Sequence, residues 1–114
     1  MSQELEDRYY RFAAAVRDFC REVKWDSINN EYFRQLIRLS ASVGAKYIEA
    51  SDNLGVADEK MKLRIARREA KESIHWLKLI LTYEAQHLEI QRTALLAEAE
   101  QIRKILSAII KKLG

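Results

Sequence analysis

Three stretches of this sequence decide its fold: SVGAKYIEA at residues 42–50, EAKESIHWL at residues 69–77 and ILSAIIK at residues 105–111. Each is rich in small residues, and its apolar residues recur at the three- and four-residue spacing of one helical face. The chain contains no proline and only three glycines, so it lacks the turn residues that many short strands require. The sequence therefore predicts an all-α protein.

The same spacing continues outward from these stretches and predicts four helices, at about residues 3–24, 30–51, 58–83 and 89–113. Amphipathic helices with short connections are typical of an antiparallel up-down four-helix bundle, here expected to be left-handed and to form one domain over residues 1–114. Ile37 and Ile48 fall on the apolar face of the second helix, and Leu81 falls on that of the third. Gly44 costs about 1 kcal/mol relative to alanine in a helix interior, so we expect a neighbouring helix to pack closely against it.

Composition narrows the class of protein. The net charge of +3 permits contact with nucleic acid but does not demand it. Cys20 is the only cysteine, which excludes an internal disulfide and fits a reducing cytoplasm. The first residues are acidic and the chain has no run of 18 apolar residues, so we expect neither a signal peptide nor a membrane-spanning helix.

Between residues 33 and 112 the sequence resembles a bacterial four-helix-bundle family, the proteins encoded within intervening sequences of 23S ribosomal RNA genes. The resemblance rests on RLSASVGAKYIEA at residues 38–50 and on the two later stretches, in the same order and at similar spacing. Leu39 and Lys46 depart from the small polar residue and the asparagine usual in the family. The resemblance implies a bundle that assembles into a ring, commonly a homopentamer, with no established enzymatic activity. A nucleic-acid-binding role has been suggested for relatives, and one branch serves as an accessory protein to a retroelement reverse transcriptase.

The sharpest functional pattern is a row of cations on one side of the third helix. Its members recur at spacings of four, three, four and seven residues, which places them on one face of the helix. A row of cations on one helical face can follow a phosphate backbone. We predict them as candidate nucleic-acid-binding residues: Lys60, Arg64, Arg67, Lys71 and Lys78. The alternative is an ordinary solvated face, since Glu69 and Glu72 lie on the same helix.

A second apolar stripe lies almost opposite the main one on the third helix. Helices with two apolar stripes usually have two partners, one within the bundle and one outside it. We therefore predict that Met61, Ile65, Trp76 and Leu79 form the interface of a cyclic homo-oligomer. For Trp76, a place in the core is the alternative.

The sequence offers no arrangement of residues typical of a catalytic or metal site. His75 and His87 are the only histidines, and the Glu72–His75 pair has the Glu-x-x-His spacing of a bundle metal site but occurs once. Cys20 lies on an apolar face, where cysteine behaves as a small apolar residue. Glu49 is better explained by a salt bridge to a neighbouring helix than by catalysis. We expect no cofactor, no metal and no enzymatic activity.

Two classes of function stay open at this point. The first is an oligomeric accessory protein that contacts RNA or DNA, ribosomal RNA among them, through the cations of the third helix. The second is a structural or protein–protein adaptor ring with no nucleic-acid contact. Binding across a salt series distinguishes them, because contacts with phosphates weaken steeply with salt.

Overall fold

The computed structural model describes residues 2–114, and within them the chain forms four helices and no strand. The helices are α1 (Gln3–Glu22), α2 (Ser27–Ser51), α3 (Val56–Leu79) and α4 (Gln86–Leu113). The prediction of an all-α four-helix bundle is confirmed, whereas its left-handed sense stays a prediction.

Consecutive helices run in opposite directions. Three hydrogen bonds each join the beginning of one helix to the end of the next: Ser2 to Tyr47, Asn29 to Leu81 and Lys60 to Gly114. The first and last helices also meet, because both guanidinium nitrogens of Arg8 that face α4 donate to the Glu98 carboxylate at 2.8 Å. Each helix therefore contacts two neighbours, and the four enclose one apolar core.

The core is made of the faces that the helical spacing predicts. On α1 these are Tyr9, Phe12, Val16 and Phe19, all buried. At Gly44 the chain leaves room for α1, since a Cβ atom there would lie 3.4 Å from the Cβ atom of Tyr9. The expected close approach at this glycine is confirmed.

Three apolar residues that the sequence assigns to buried faces lie at the surface instead. Ile37 and Ile48 are 41% and 52% exposed because α2 turns Leu39 and Ala50 inward in their place. Leu81 is 41% exposed because α3 ends before it, and Ile80 is buried instead. These predictions were wrong since helical spacing defines a wide face, whereas the two neighbouring helices decide which edge of that face is covered.

Three of the eight predicted helix ends, at Gln3, Ser51 and Leu113, agree with the structure, and the other five differ from it by two to four residues. The N-terminal end of α2 moves to Ser27 because the Asp26 side chain accepts a hydrogen bond from the Asn29 backbone at 2.7 Å and so caps the helix. At the other end of the bundle, α3 stops at Leu79 rather than near Tyr83, which takes a left-handed φ of 56°. Side chains from α2 and α4 satisfy the backbone groups released there.

Candidate nucleic-acid interface

A basic cleft lies between α3 and α4. It encloses about 410 Å³, which is room for a phosphate group with its neighbours. Its lining consists of five cationic side chains and one hydroxyl: Arg64, Arg67, Arg68, Lys71, Arg103 and Ser107. All but one of its lining residues are therefore positively charged.

Antiparallel packing assembles this cleft from two distant segments. Arg67 donates to the Ser107 hydroxyl at 3.4 Å, and Lys60 donates to the carbonyl of Gly114. Lys60 precedes Arg67 by seven residues, and Gly114, which follows the last residue of α4, comes seven residues after Ser107. Equal steps in opposite directions along the two helices keep them in register. Successive turns of α3 and α4 therefore place their cations side by side.

Of the five predicted nucleic-acid-binding residues, the structure brings three together in the cleft. Arg64 and Lys71 are exposed there, and Arg67 is half-buried. Lys60 is directed to the Gly114 carbonyl, and Lys78 lies about 10 Å beyond Lys71 along the helix axis. The predicted row is therefore a compact group of three with one cation near each end.

Three lining residues escaped the sequence analysis: Arg68, Arg103 and Ser107. Arg68 lies beside the row at a different angle around α3, so a search for strict one-sided spacing passes over it. Arg103 and Ser107 belong to α4. The signal that could have found them is the pairing of antiparallel helices, which places the C-terminal half of α4 beside the N-terminal half of α3.

One carboxylate reaches into the positive field of the cleft. Glu100 accepts hydrogen bonds from Arg103, and this contact, with smaller contributions from Lys104 and Lys71, lowers the pKa of Glu100. The same hydrogen bond raises the pKa of Arg103. Glu100 therefore orients Arg103 and offsets part of the positive charge of the cleft.

The predicted oligomer stripe is only partly free. Met61 is 60% exposed and Leu79 is 38% exposed, whereas Ile65 and Trp76 are half-buried. Trp76 has a partner within its own chain, since its ring centroid lies 6.0 Å from that of Tyr32 on α2. Part of the Trp76 ring packs against the core and part is exposed to solvent. Both a place in the core and a place in an interface therefore stay possible for this residue.

The surroundings of Cys20 and Glu49 indicate structural rather than catalytic roles. Cys20 is buried, and burial raises the pKa of its thiol to about 12. Glu49 lies 2.9 Å from the Lys46 ammonium and 3.2 Å from that of Lys62 on α3, so the predicted salt bridge to a neighbouring helix is confirmed. These hydrogen bonds, first to Lys46 and then to Lys62, lower the pKa of Glu49.

The predicted Glu72–His75 pair lies at the surface of α3. Glu72 and His75 are both exposed, and residues 2–114 contain no group of three or more side chains arranged to hold a metal ion. None of the four helices is long and apolar enough to cross a bilayer.

Comparison with solved structures finds a protein of similar fold. A crystal structure of a protein of unknown function from the S23 ribosomal protein family, from Bacteroides thetaiotaomicron VPI-5482, superposes with a TM-score of 0.77. The two chains are 28% identical, and the match covers 93% of this chain and 97% of the other. No family model and no curated protein matches the chain. The chain therefore shares the complete four-helix fold of a protein whose own function is unknown.

Proposed function

We propose that this protein is a non-enzymatic accessory protein that binds nucleic acid through the basic cleft between α3 and α4. The observation that carries the proposal is the convergence of five cations from two helices around one hollow whose lining contains no carboxylate. Such a cluster of cations is complementary in charge to neighbouring phosphates of a nucleic acid. The S23 ribosomal protein family name of the structural neighbour adds ribosomal RNA to the candidate ligands.

The chemistry of the cleft favours contact with the phosphate backbone rather than with bases. None of its lining residues, as the structure describes them, is aromatic, whereas proteins that hold single strands stack bases on aromatic rings. Guanidinium groups and a hydroxyl bind phosphate oxygens whatever the sequence. We therefore expect helical RNA and duplex DNA to bind with little dependence on base sequence.

The first test measures binding of a fluorescent ribosomal RNA hairpin and a DNA duplex across a salt series. If the cleft neutralises about four phosphates, affinity should fall about 100-fold between 50 and 200 mM salt. Replacing Arg64, Arg67 and Lys71 with glutamate should then remove measurable binding. A protein that fails to bind either ligand at low salt would refute the proposal and leave the adaptor ring as the better interpretation.

A matched control separates local from overall charge. Replacing Arg11, Lys24 and Lys112 with glutamate changes the net charge by the same amount, but these exposed residues do not line the cleft. The affinity of this variant for nucleic acid should stay within about tenfold of that of the unchanged protein. The small loss reflects weaker general electrostatic attraction. Equal losses in both variants would show that net charge, rather than the cleft, governs binding.

We also propose that the protein is a cyclic homo-oligomer, a pentamer by the resemblance, with Met61, Ile65, Trp76 and Leu79 at its interface. The exposure of Met61 and Leu79, on a helix that already packs against α2 and α4, supports a partner outside the bundle. Repetition of the basic cleft around a ring would strengthen nucleic-acid binding through avidity.

The assembly is tested by light scattering at micromolar concentration, where a mass near 13.4 kDa would contradict it. Trp76→Ala should weaken assembly more than it lowers helix content. Met61→Gln separates assembly from folding better than Trp76→Ala, because Met61 is the more exposed residue. The Met61→Gln substitution should change the free energy of unfolding by no more than about 0.5 kcal/mol. If the oligomer persists in both variants, the interface lies elsewhere.

A further inference from the structure

A second surface of the bundle, on the side away from the basic cleft, also has the features of a binding site. Two hollows lie end to end between α1 and α2, and Ile37 lines both of them. Along α2 their lining residues span Ile48 to Asn30, a distance of about 27 Å for 18 residue steps. We call this surface the α1–α2 furrow.

The lining of the furrow combines small residues with exposed large apolar ones. Ala13, Ala41 and Ala45 line the hollow that reaches Ile48, and we call this strip of small residues the floor. Tyr10 is 73% exposed and Trp25 is 67% exposed, one in each hollow. Large apolar side chains exposed along a strip of small residues leave a shape that the ridge of another helix fills.

Charge gives the furrow two different ends. Glu6 lies at the end near Ile48, whereas towards Trp25 the lining contains four exposed arginines: Arg17, Arg21, Arg34 and Arg38. Only two carboxylates lie within 4.0 Å of these guanidinium groups, Asp18 beside Arg17 and Glu31 beside Arg34. The arginine end therefore keeps a net positive charge beside an apolar floor.

We infer that the α1–α2 furrow binds an amphipathic helix of a protein partner, about five turns long, with an apolar stripe and acidic residues at one end. The apolar floor requires the stripe, and the arginines require the acidic end. A second copy of this chain is a poorer match, since the predicted oligomer face of α3 carries Arg64 and Arg68, of the same sign as the arginine end. Nucleic acid is complementary in charge to the arginines, but it has no aliphatic groups to fill the apolar floor.

Binding is tested with fluorescent 18-residue helical peptides that carry a leucine stripe and three glutamates at either the first or the last turn. Partner peptides have lysine in place of each glutamate. We expect one of the glutamate peptides to bind at least tenfold more tightly than its lysine counterpart at 100 mM salt. No binding, or equal affinity for the two charge types, would overturn the inference.

Variants of the protein locate the site. Ala41→Gln with Ala45→Gln fills the floor and should weaken the glutamate peptide at least tenfold, whereas Arg34→Gln with Arg38→Gln should remove the preference for glutamate. The matched control is Ala97→Gln with Ala108→Gln, which makes the same change at exposed sites on α4 and should leave affinity unchanged. Equal affinity in the floor variant and the control would place the peptide elsewhere and overturn the inference.

Two other occupants give distinct results. If the floor variant lowers the mass of the protein in light scattering, a second copy fills the furrow. If an RNA hairpin displaces the peptide from the unchanged protein but not from the Arg34→Gln, Arg38→Gln variant, nucleic acid does. Either result would overturn the assignment to a partner helix, and neither bears on the basic cleft, which those variants leave intact.

Discussion

Replacing Asn29 with leucine is expected to lower the free energy of unfolding by about 3 kcal/mol. Asn29 is fully buried at the start of α2, and its amide ties two turns together. Its Nδ2 donates to the carbonyls of Lys24 and Leu81 at 3.1 and 2.9 Å, and its Oδ1 accepts from the Leu81 backbone N–H at 2.9 Å. Leucine has a similar volume but would leave these backbone groups without partners. Urea unfolding followed by circular dichroism measures the loss.

The neighbouring Asn30 provides the control. It is half-buried at the rim of the α1–α2 furrow, so Asn30→Leu should change the free energy of unfolding by no more than about 0.5 kcal/mol. An equally small effect of Asn29→Leu would show that its hydrogen bonds contribute little.

Asn29→Asp adds a test of sign. An ionised carboxylate would face the carbonyls of Lys24 and Leu81, which disfavours the charged form and raises its pKa in the folded state. A raised folded-state pKa means that stability is lost as the pH rises. We therefore expect Asn29→Asp to destabilise the protein less at pH 4 than at pH 7. A salt-bridged aspartate would show the opposite pH dependence, because its folded-state pKa is lowered.

Tyr9→Ala should lower the free energy of unfolding by about 4 kcal/mol, because it removes a fully buried ring from the centre of the bundle. The ring lies edge-on to Tyr47, with the centroids 5.0 Å apart, and its Cβ atom packs where Gly44 has no side chain. A cavity there would open between α1 and α2, and those helices cannot collapse further without moving the rest of the core. The midpoint of urea unfolding reports the change.

The hydroxyl of Tyr9 makes the phenylalanine variant informative. It is buried with no hydrogen-bond partner among the described protein atoms, and burial, with the nearby Tyr47, raises the pKa of Tyr9. Tyr9→Phe removes a polar atom that gains nothing from the fold, so we expect stability to stay the same or to rise by about 1 kcal/mol. A loss comparable with that of alanine would contradict this account.

The candidate cleft shows where prediction from sequence stopped. Arg64, Arg67 and Lys71 recur at helical spacing, so the sequence alone places them on one side of α3. Arg103 and Ser107 are at least 32 residues further along the chain and became part of the site only when α4 packed beside α3. Local spacing carries no information about which distant helix lies alongside, and so these two of the six lining residues were missed.

Local periodicity determined the four helices and most of the residues they bury, because a helix repeats every 3.6 residues and its apolar stripe must leave water. It also determined the close approach at Gly44 and the salt bridge of Glu49, since each follows from a residue type placed within a known helical face. The helix ends were decided by side chains from other helices, as where Asn29 binds the backbone of Leu81 and α3 stops.

Only the tertiary structure decided which edge of each apolar face stayed in contact with water. Ile37 and Ile48 lie on the stripe of α2, yet the packing of α1 leaves them at the walls of the furrow. Burial depends on the separation and rotation of two neighbouring helices, and these depend on contacts between residues far apart in sequence. For the same reason the furrow and the basic cleft, each formed by two helices, belong to the fold rather than to any one segment.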